Sequence, residues 1–124
     1  SELNEVILRY LLKAMGMEVE IIKASEYHFT GYKSDLVLDH CKKLNADICV
    51  LGKHGENYIR EEDFTEHKIK LYYQNYRYPE HYPQRFGDFV SYLSVIDLLF
   101  NCGPESISVI QSGNMKREHI INES

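Results

Sequence analysis

Residues 82–103 read Tyr-Pro-Gln-Arg-Phe-Gly-Asp-Phe-Val-Ser-Tyr-Leu-Ser-Val-Ile-Asp-Leu-Leu-Phe-Asn-Cys-Gly, and they constrain the fold more than any other stretch. The first half is a polar, aromatic loop centred on Pro83 and Gly87; the second half is the most apolar segment of the chain. From Ser94 the pattern predicts a short helix, with Ser94 as N-cap and Asp97 placed three residues on to reach back to the free N–H groups. Leu93, Ile96, Leu98, Leu99 and Phe100 leave little polar face apart from Asp97, which predicts a helix surrounded by protein. Gly103 supplies a left-handed stop, and Pro104 opens the next helix with its φ already set. A polar loop delivered onto a buried helix is a way to hold functional groups still.

The rest of the chain alternates helix and strand. Residues 1–15 place Leu3, Val6, Ile7, Tyr10, Leu11 and Ala14 at helical spacing, with Glu2, Glu5, Arg9 and Lys13 turned away. Residues 18–23 alternate around Val19 and Ile21, with Ile22 opposite, and predict a strand buried on both faces. Ser34 is the expected cap of a second helix ending near Leu44, with Asn45 suited to the left-handed position after it. Residues 48–51 are continuously apolar, the pattern of a central parallel strand. A short helix over 61–67, a strand over 69–76 with one wet face, and a helix over 104–111 complete the series. This order predicts an α/β fold, a small, mainly parallel sheet of three strands flanked by helices. The expected organisation is one domain over residues 1–112 followed by a polar tail over 113–124.

Composition excludes several classes. A net charge of −5 without a basic cluster argues against a broad nucleic-acid surface. No apolar run approaches the ~20 residues of a membrane span. Cys41, Cys49 and Cys102, odd in number and widely spaced, read as reduced core thiols of a cytoplasmic protein, with neither disulfide framework nor zinc site. Of the ten tyrosines, six lie within residues 58–82, so one loop region is expected to present an aromatic surface.

Ligands of open parallel sheets bind beyond the carboxyl ends of the strands. After the 48–51 strand come Gly52, Lys53, His54 and Gly55: either a cradle whose glycines admit an anion that Lys53 and His54 neutralise, or a plain turn with a solvated lysine. After the third strand come Arg77, His81, Tyr82, Gln84 and Arg85. The arginines can grip an oxyanion, His81 can serve as acid or base, and tyrosine can stack on a sugar or base. The alternative is an aromatic loop packed on the sheet edge. Glu26, His28 and His54 are a weaker metal candidate, and no metal or cofactor is expected. Asp97 is either a helix-start partner for Ser94 or a catalytic carboxylate.

Tyr-Pro-Gln, then Gly-x-Phe, then Tyr-Leu-Ser-Val-Ile-Asp-Leu-Leu-Phe-Asn-Cys-Gly-Pro-Glu-Ser together resemble the C-terminal signature of the WbqC-like protein family. The likeness extends more loosely back to Ser1. Members of that family are about twice this length, so the chain resembles the C-terminal half of one. The family is associated with bacterial surface-polysaccharide gene clusters, and its whole fold would look like a doubly wound nucleotide-binding type, an analogy of fold only. The resemblance implies a glycine-rich loop ending in a tyrosine, matched by Gly52, Gly55 and Tyr58. Where this chain has Phe86, members often carry a histidine.

Two functions follow as expectations. The first is a transferase of surface-polysaccharide (O-antigen) or nucleotide-sugar synthesis, moving an acyl, aminoacyl or nucleotidyl group. It would bind an anionic or nucleotide-like ligand through Gly52, Lys53, His54, Gly55, Tyr58, Tyr82 and Gln84, with Arg77, His81 and Arg85 as catalytic groups. The second is a non-catalytic module that binds a ligand or partner through a tyrosine-rich face. A missing N-terminal half, or self-association through the first helix or a sheet edge, is expected to cover Leu8, Leu12 and Met15.

Overall fold

The computed structural model describes residues 1–122. These form two compact units, one built from Ser1–Ile21 and Tyr76–Asn114, the other from Ile22–Asn75 and the chain from Met115 onward. The last two residues of the expected tail lie outside the described residues.

The second unit holds the sheet. Helix α2 (Ser34–Lys43) leads through Asn45, left-handed as its amide side chain allows, into strand β1 (Ile48–Leu51). A tight turn over Lys53–Asn57 and helix α3 (Glu61–Glu66) then lead to strand β2 (Lys70–Tyr73). β1 and β2 pair in parallel, with Ile48 beside Lys70 and Leu51 beside Tyr73. Cys41, Ile59, Phe64 and Ile69 form the core here, packed against Val37, Leu38, Cys49, Leu51 and Leu71. A fully buried side chain of this kind is worth about 1.5–3 kcal/mol, which makes Phe64 the anchor of the crossover.

Ser34 differs from its expected role. Lys33, at φ 50°, takes the cap position, and Ser34 is the first residue of α2, buried, with its Oγ accepting from the Arg60 N–H at 2.9 Å. Arg60 donates to Asp63 at 2.9 Å and also pairs with Asp35, and these carboxylates hold its pKa above the usual arginine value. The starts of α2 and α3 are thus tied side by side.

The described residues contain two strands, not three. Residues 18–23 form no strand, and Val19 and Ile22 are exposed. Alternating side chains prepare a segment for a sheet, but a strand exists only where its N–H and C=O groups find a partner, and this segment pairs with no strand among the described residues. The same shortage explains β1: Val50 is 56% exposed, so the strand is not covered on both faces. Two strands do not define a doubly wound order.

The first unit contains helix α1 (Glu2–Ala14), α4 (Val95–Cys102) and α5 (Ser106–Gln111), with a tight turn over Gly103–Glu105 between the last two. Ser1 caps α1 through its side chain and Ser94 caps α4, its Oγ accepting from Ile96 N–H. Gly103, at φ 53°, ends α4. Buried Ser106 donates to the Leu98 carbonyl at 3.2 Å and locks α5 onto α4. Gly113 closes the unit: its carbonyl accepts from Arg77 N–H, and a Cβ there would lie 1.9 Å from the Arg77 oxygen. Beyond it, helix α6 (Arg117–Asn122) belongs to the other unit.

The predicted burial of α4 does not hold. Leu98 is buried, but Ile96 is 47% and Phe100 88% exposed, and no residue of α1 is buried. Apolarity all round a helix states a demand for cover; supply depends on what surrounds it.

Candidate functional site

The loop over residues 76–94 is organised by one carboxylate. Tyr82, buried, donates its hydroxyl to Asp97 Oδ2 at 2.6 Å, and Gln84 Nε2 reaches the same oxygen at 3.4 Å. Asn101, one turn further along α4, donates to Asp97 Oδ1 at 3.2 Å and to the Asp97 carbonyl at 2.8 Å. Its own Oδ1 accepts from Arg85 N–H at 3.0 Å. Gln84 also behaves like a piece of backbone, donating to the Val90 carbonyl at 2.8 Å and accepting from the Val90 N–H at 2.9 Å. The Tyr-Pro-Gln motif is therefore a latch: it ties the middle of the loop to one face of α4 and, through Val90, the loop to itself.

Asp97 thus differs from the helix-start role expected of it. It is not the reciprocal partner of Ser94, and its oxygens are taken by Tyr82, Gln84 and Asn101. Burial, then the hydrogen bond to Asp97, raises the Tyr82 pKa, so the phenol stays a donor. Asn101 was missed by sequence reasoning. The signal was available: Asp97 and Asn101 stand four apart in an otherwise apolar helix, on one face.

Beside the latch the loop folds an aromatic hollow of about 390 Å³, lined chiefly by Tyr76, Tyr78, Tyr82, Phe89, Tyr92 and Leu98. Tyr78 meets Tyr76 edge-on at 5.3 Å and Tyr92 at 4.9 Å; Tyr82 meets Phe89 at 5.2 Å. Tyr76 donates to the Ile110 carbonyl at 2.7 Å, and burial raises its pKa. Tyr78 and Tyr92 are exposed. Tyr92 sits at φ 59°, a left-handed conformation that a bulky residue adopts only when its surroundings impose it.

The remaining expected site residues of this unit lie on the loop's outer side. Arg77 and His81 are exposed, and His81 rests against Phe89 at 5.0 Å. Arg85 is exposed, with its guanidinium 5.3 Å from the ring of Phe86. Phe86, at the position where the family resemblance implies histidine, is 81% exposed.

Gly52, Lys53, His54, Gly55 and Tyr58 belong to the other unit. Gly55 N–H donates to the Gly52 carbonyl at 2.9 Å, closing a turn, and Lys53, His54 and Tyr58 are exposed. Gly55 is buried, and a Cβ there would lie 2.9 Å from Leu51 Cβ and 3.2 Å from Tyr73 Cε1. Its lack of a side chain is explained by packing on the sheet. A Cβ on Gly52 would meet nothing within 4 Å. Nearby, Tyr73 donates to Glu61 at 3.0 Å, and burial followed by that carboxylate pushes its pKa up to about 12. Glu26, His28 and His54 do not form a metal site; no group of three His, Cys, Asp or Glu side chains suited to a metal occurs among the described residues. No helix among them is long and apolar enough to cross a membrane.

Residues 1–109, including the latch, the hollow and the turn after β1, match the model of the WbqC-like protein family. The chain belongs to the WbqC-like family. A relative from Mycobacterium tuberculosis, named uncharacterized protein Rv1507c, is 27% identical over 106 residues, covering 86% of this chain and 46% of its own length. This WbqC-like chain thus spans a little under half of that relative. No solved structure matches it.

Proposed function

We propose that this WbqC-like chain is the sugar-handling part of a transferase in bacterial surface-polysaccharide or nucleotide-sugar synthesis. The observation that carries the reading is the aromatic hollow held open by the Tyr82–Asp97–Asn101 latch. A pyranose ring has an apolar face that stacks on tyrosine and hydroxyls that bond at the ring edge. Tyr78 and Tyr92 offer both a face and a hydroxyl. In this reading Arg77 and Arg85 hold the phosphates of an activated donor, in the two-point manner that guanidinium allows. His81 moves the proton, Tyr82 and Gln84 position the loop, and the other unit by itself offers Lys53 and His54, beside Gly52, Gly55 and Tyr58, as a separate anion contact. Three free thiols suit a reducing, cytoplasmic setting.

A second reading has one observation in its favour. The polar groups of Tyr82 and Gln84 are consumed inside the loop, which is what a non-catalytic binding module would also require. Calorimetric titration of the full chain with nucleotides, nucleotide sugars and free monosaccharides tests the sugar site. Group transfer from a bound nucleotide sugar, expected in the first reading only, separates the two. Binding of nucleotide sugars that Tyr92→Ala and Tyr78→Ala weaken, by about 1–2 kcal/mol each as for an aromatic contact, supports the sugar site. Arg77→Ala and Arg85→Ala then test the donor phosphates. If no sugar or nucleotide binds at millimolar concentration, the reading fails.

A further inference from the structure

We propose that Cys41 and Cys49 are a redox site: a pair of thiols, held in contact inside the second unit, that a peroxide closes into a reversible disulfide. The sugar reading uses neither residue. The remaining thiol, Cys102, belongs to the first unit.

The two cysteines stand eight residues apart in sequence, and the end of α2 brings them together. Ala46 N–H donates to the Cys41 carbonyl at 2.9 Å and Asn45 N–H to the Lys42 carbonyl at 3.3 Å, with Asn45 at φ 53°. These two bonds around a left-handed residue make the turn that closes a helix and reverses the chain. Along β1 the side chains then alternate: Cys49 and Leu51 pack against the core that holds Cys41, while Val50 is exposed. Cys41 meets this core from α2, four residues after Val37 and so on the same helical face. There its thiol donates to the Cys49 sulfur. Helix, turn and strand thus hold two free sulfurs side by side, which is the first requirement for joining them.

The two thiols are not equivalent, and the difference sets the order of reaction. Cys41 is buried, whereas Cys49 is only half-buried and within reach of a small oxidant. Burial, then the contact with Cys49, pushes the Cys41 thiol up to about 12, so Cys41 keeps its proton and answers second. Cys49 gives up its proton and attacks hydrogen peroxide. An S–O bond forms, the O–O bond breaks, and the departing hydroxide takes that proton to become water, leaving Cys49 as a sulfenic acid. The Cys41 sulfur then displaces the hydroxyl: an S–S bond forms, the S–O bond breaks, and the hydroxide leaves as water with the Cys41 proton. Two thiols have lost two electrons, and one peroxide has become two waters. A hollow of about 360 Å³ that Cys41 lines gives the second water a way out. In a reducing setting such a bond is transient and serves as a sensor of oxidant, not as a staple.

The test treats the native, reduced full chain with hydrogen peroxide, then unfolds it, alkylates the remaining thiols and reads intact mass and peptide map. The untreated chain should take up three alkyl groups. The oxidised chain should have lost two hydrogens and take up one, on Cys102, with Cys41 and Cys49 joined in one crosslinked peptide. Dithiothreitol should restore all three thiols. Cys41→Ala should stop the reaction at a sulfenic acid on Cys49, trapped by dimedone, and Cys49→Ala should leave Cys41 unoxidised. Wild type decides the question even where a variant folds poorly. Wild-type Cys49 that carries oxygen without linking to Cys41 overturns the proposal. So does oxidation confined to Cys102, or a Cys41–Cys49 link that forms only when urea is present during oxidation, since the fold would then not be what holds the pair. None of these results touches the sugar reading, whose test is titration of the aromatic hollow in the other unit.

Discussion

Asp97 is the residue on which the loop depends. Its removal orphans the buried Tyr82 hydroxyl and one donor of Asn101. Asp97→Leu should therefore destabilise the chain by roughly 2–4 kcal/mol, more than loss of a helix-start partner would. Asp97→Asn keeps an acceptor and should cost less. Urea midpoints decide this; a leucine variant within experimental scatter of wild type would mean the latch does not hold the loop. At the same scale, the thiol of Cys41 is pushed from its ordinary 9.0 up to about 12, first by burial and then by contact with Cys49. The unfolded chain releases this proton first as pH rises. Stability is therefore complete below pH 9 and falls above it, with Tyr73 adding a second loss that begins near its ordinary 10.0. Unfolding curves measured from pH 8 upward should show the decline, and Cys41→Ala should remove the part that begins near 9.

At the scale of the element, the turn after β1 gives a comparison between two glycines. Gly52→Ala should change stability by less than about 0.5 kcal/mol, because the new methyl meets open space. Gly55→Val should cost about 1–3 kcal/mol or more, because the side chain must enter the space held by Leu51 and Tyr73. Thermal melts of the two variants check this, and equal effects would mean the turn is not packed on the strands as described. A loss of ligand binding in Gly55→Val would then report on the fold and not on an anion cradle; Lys53→Ala is the cleaner probe of that role. At α4, Ser94→Ala removes the cap bond to Ile96 N–H and should cost about 1 kcal/mol.

For the whole molecule, stability is unevenly spread. Hydrogen exchange should be slowest in β1, β2 and α3, around Phe64, and fastest in α1, which buries no residue. Protection of α1 already complete at high dilution would contradict an unburied α1.

The sequence by itself determined what depends on neighbours along the chain. Ser94 as a cap, Asn45 and Gly103 in the left-handed region, β1 as a short apolar run and β2 within an alternating stretch were all legible, because each is decided within a few residues. The signature over residues 82–106 marked the family for the same reason. Tertiary structure alone decided what depends on contact between distant segments. Residues 18–23 carry a strand's pattern, yet they pair with no strand among the described residues. The apolar surface of α4 calls for cover that Leu98 receives and Phe100 does not. Ser34 looked like a cap, but a backbone N–H from Arg60, twenty-six residues away, claimed its oxygen. Asp97 had the spacing of a helix-start partner, but Tyr82 and Asn101 converge on it first. Periodicity records which side of an element wants to be dry, and capping residues record where a helix can begin. Neither records which distant group arrives to accept the bond, because that is settled only when the chain closes on itself.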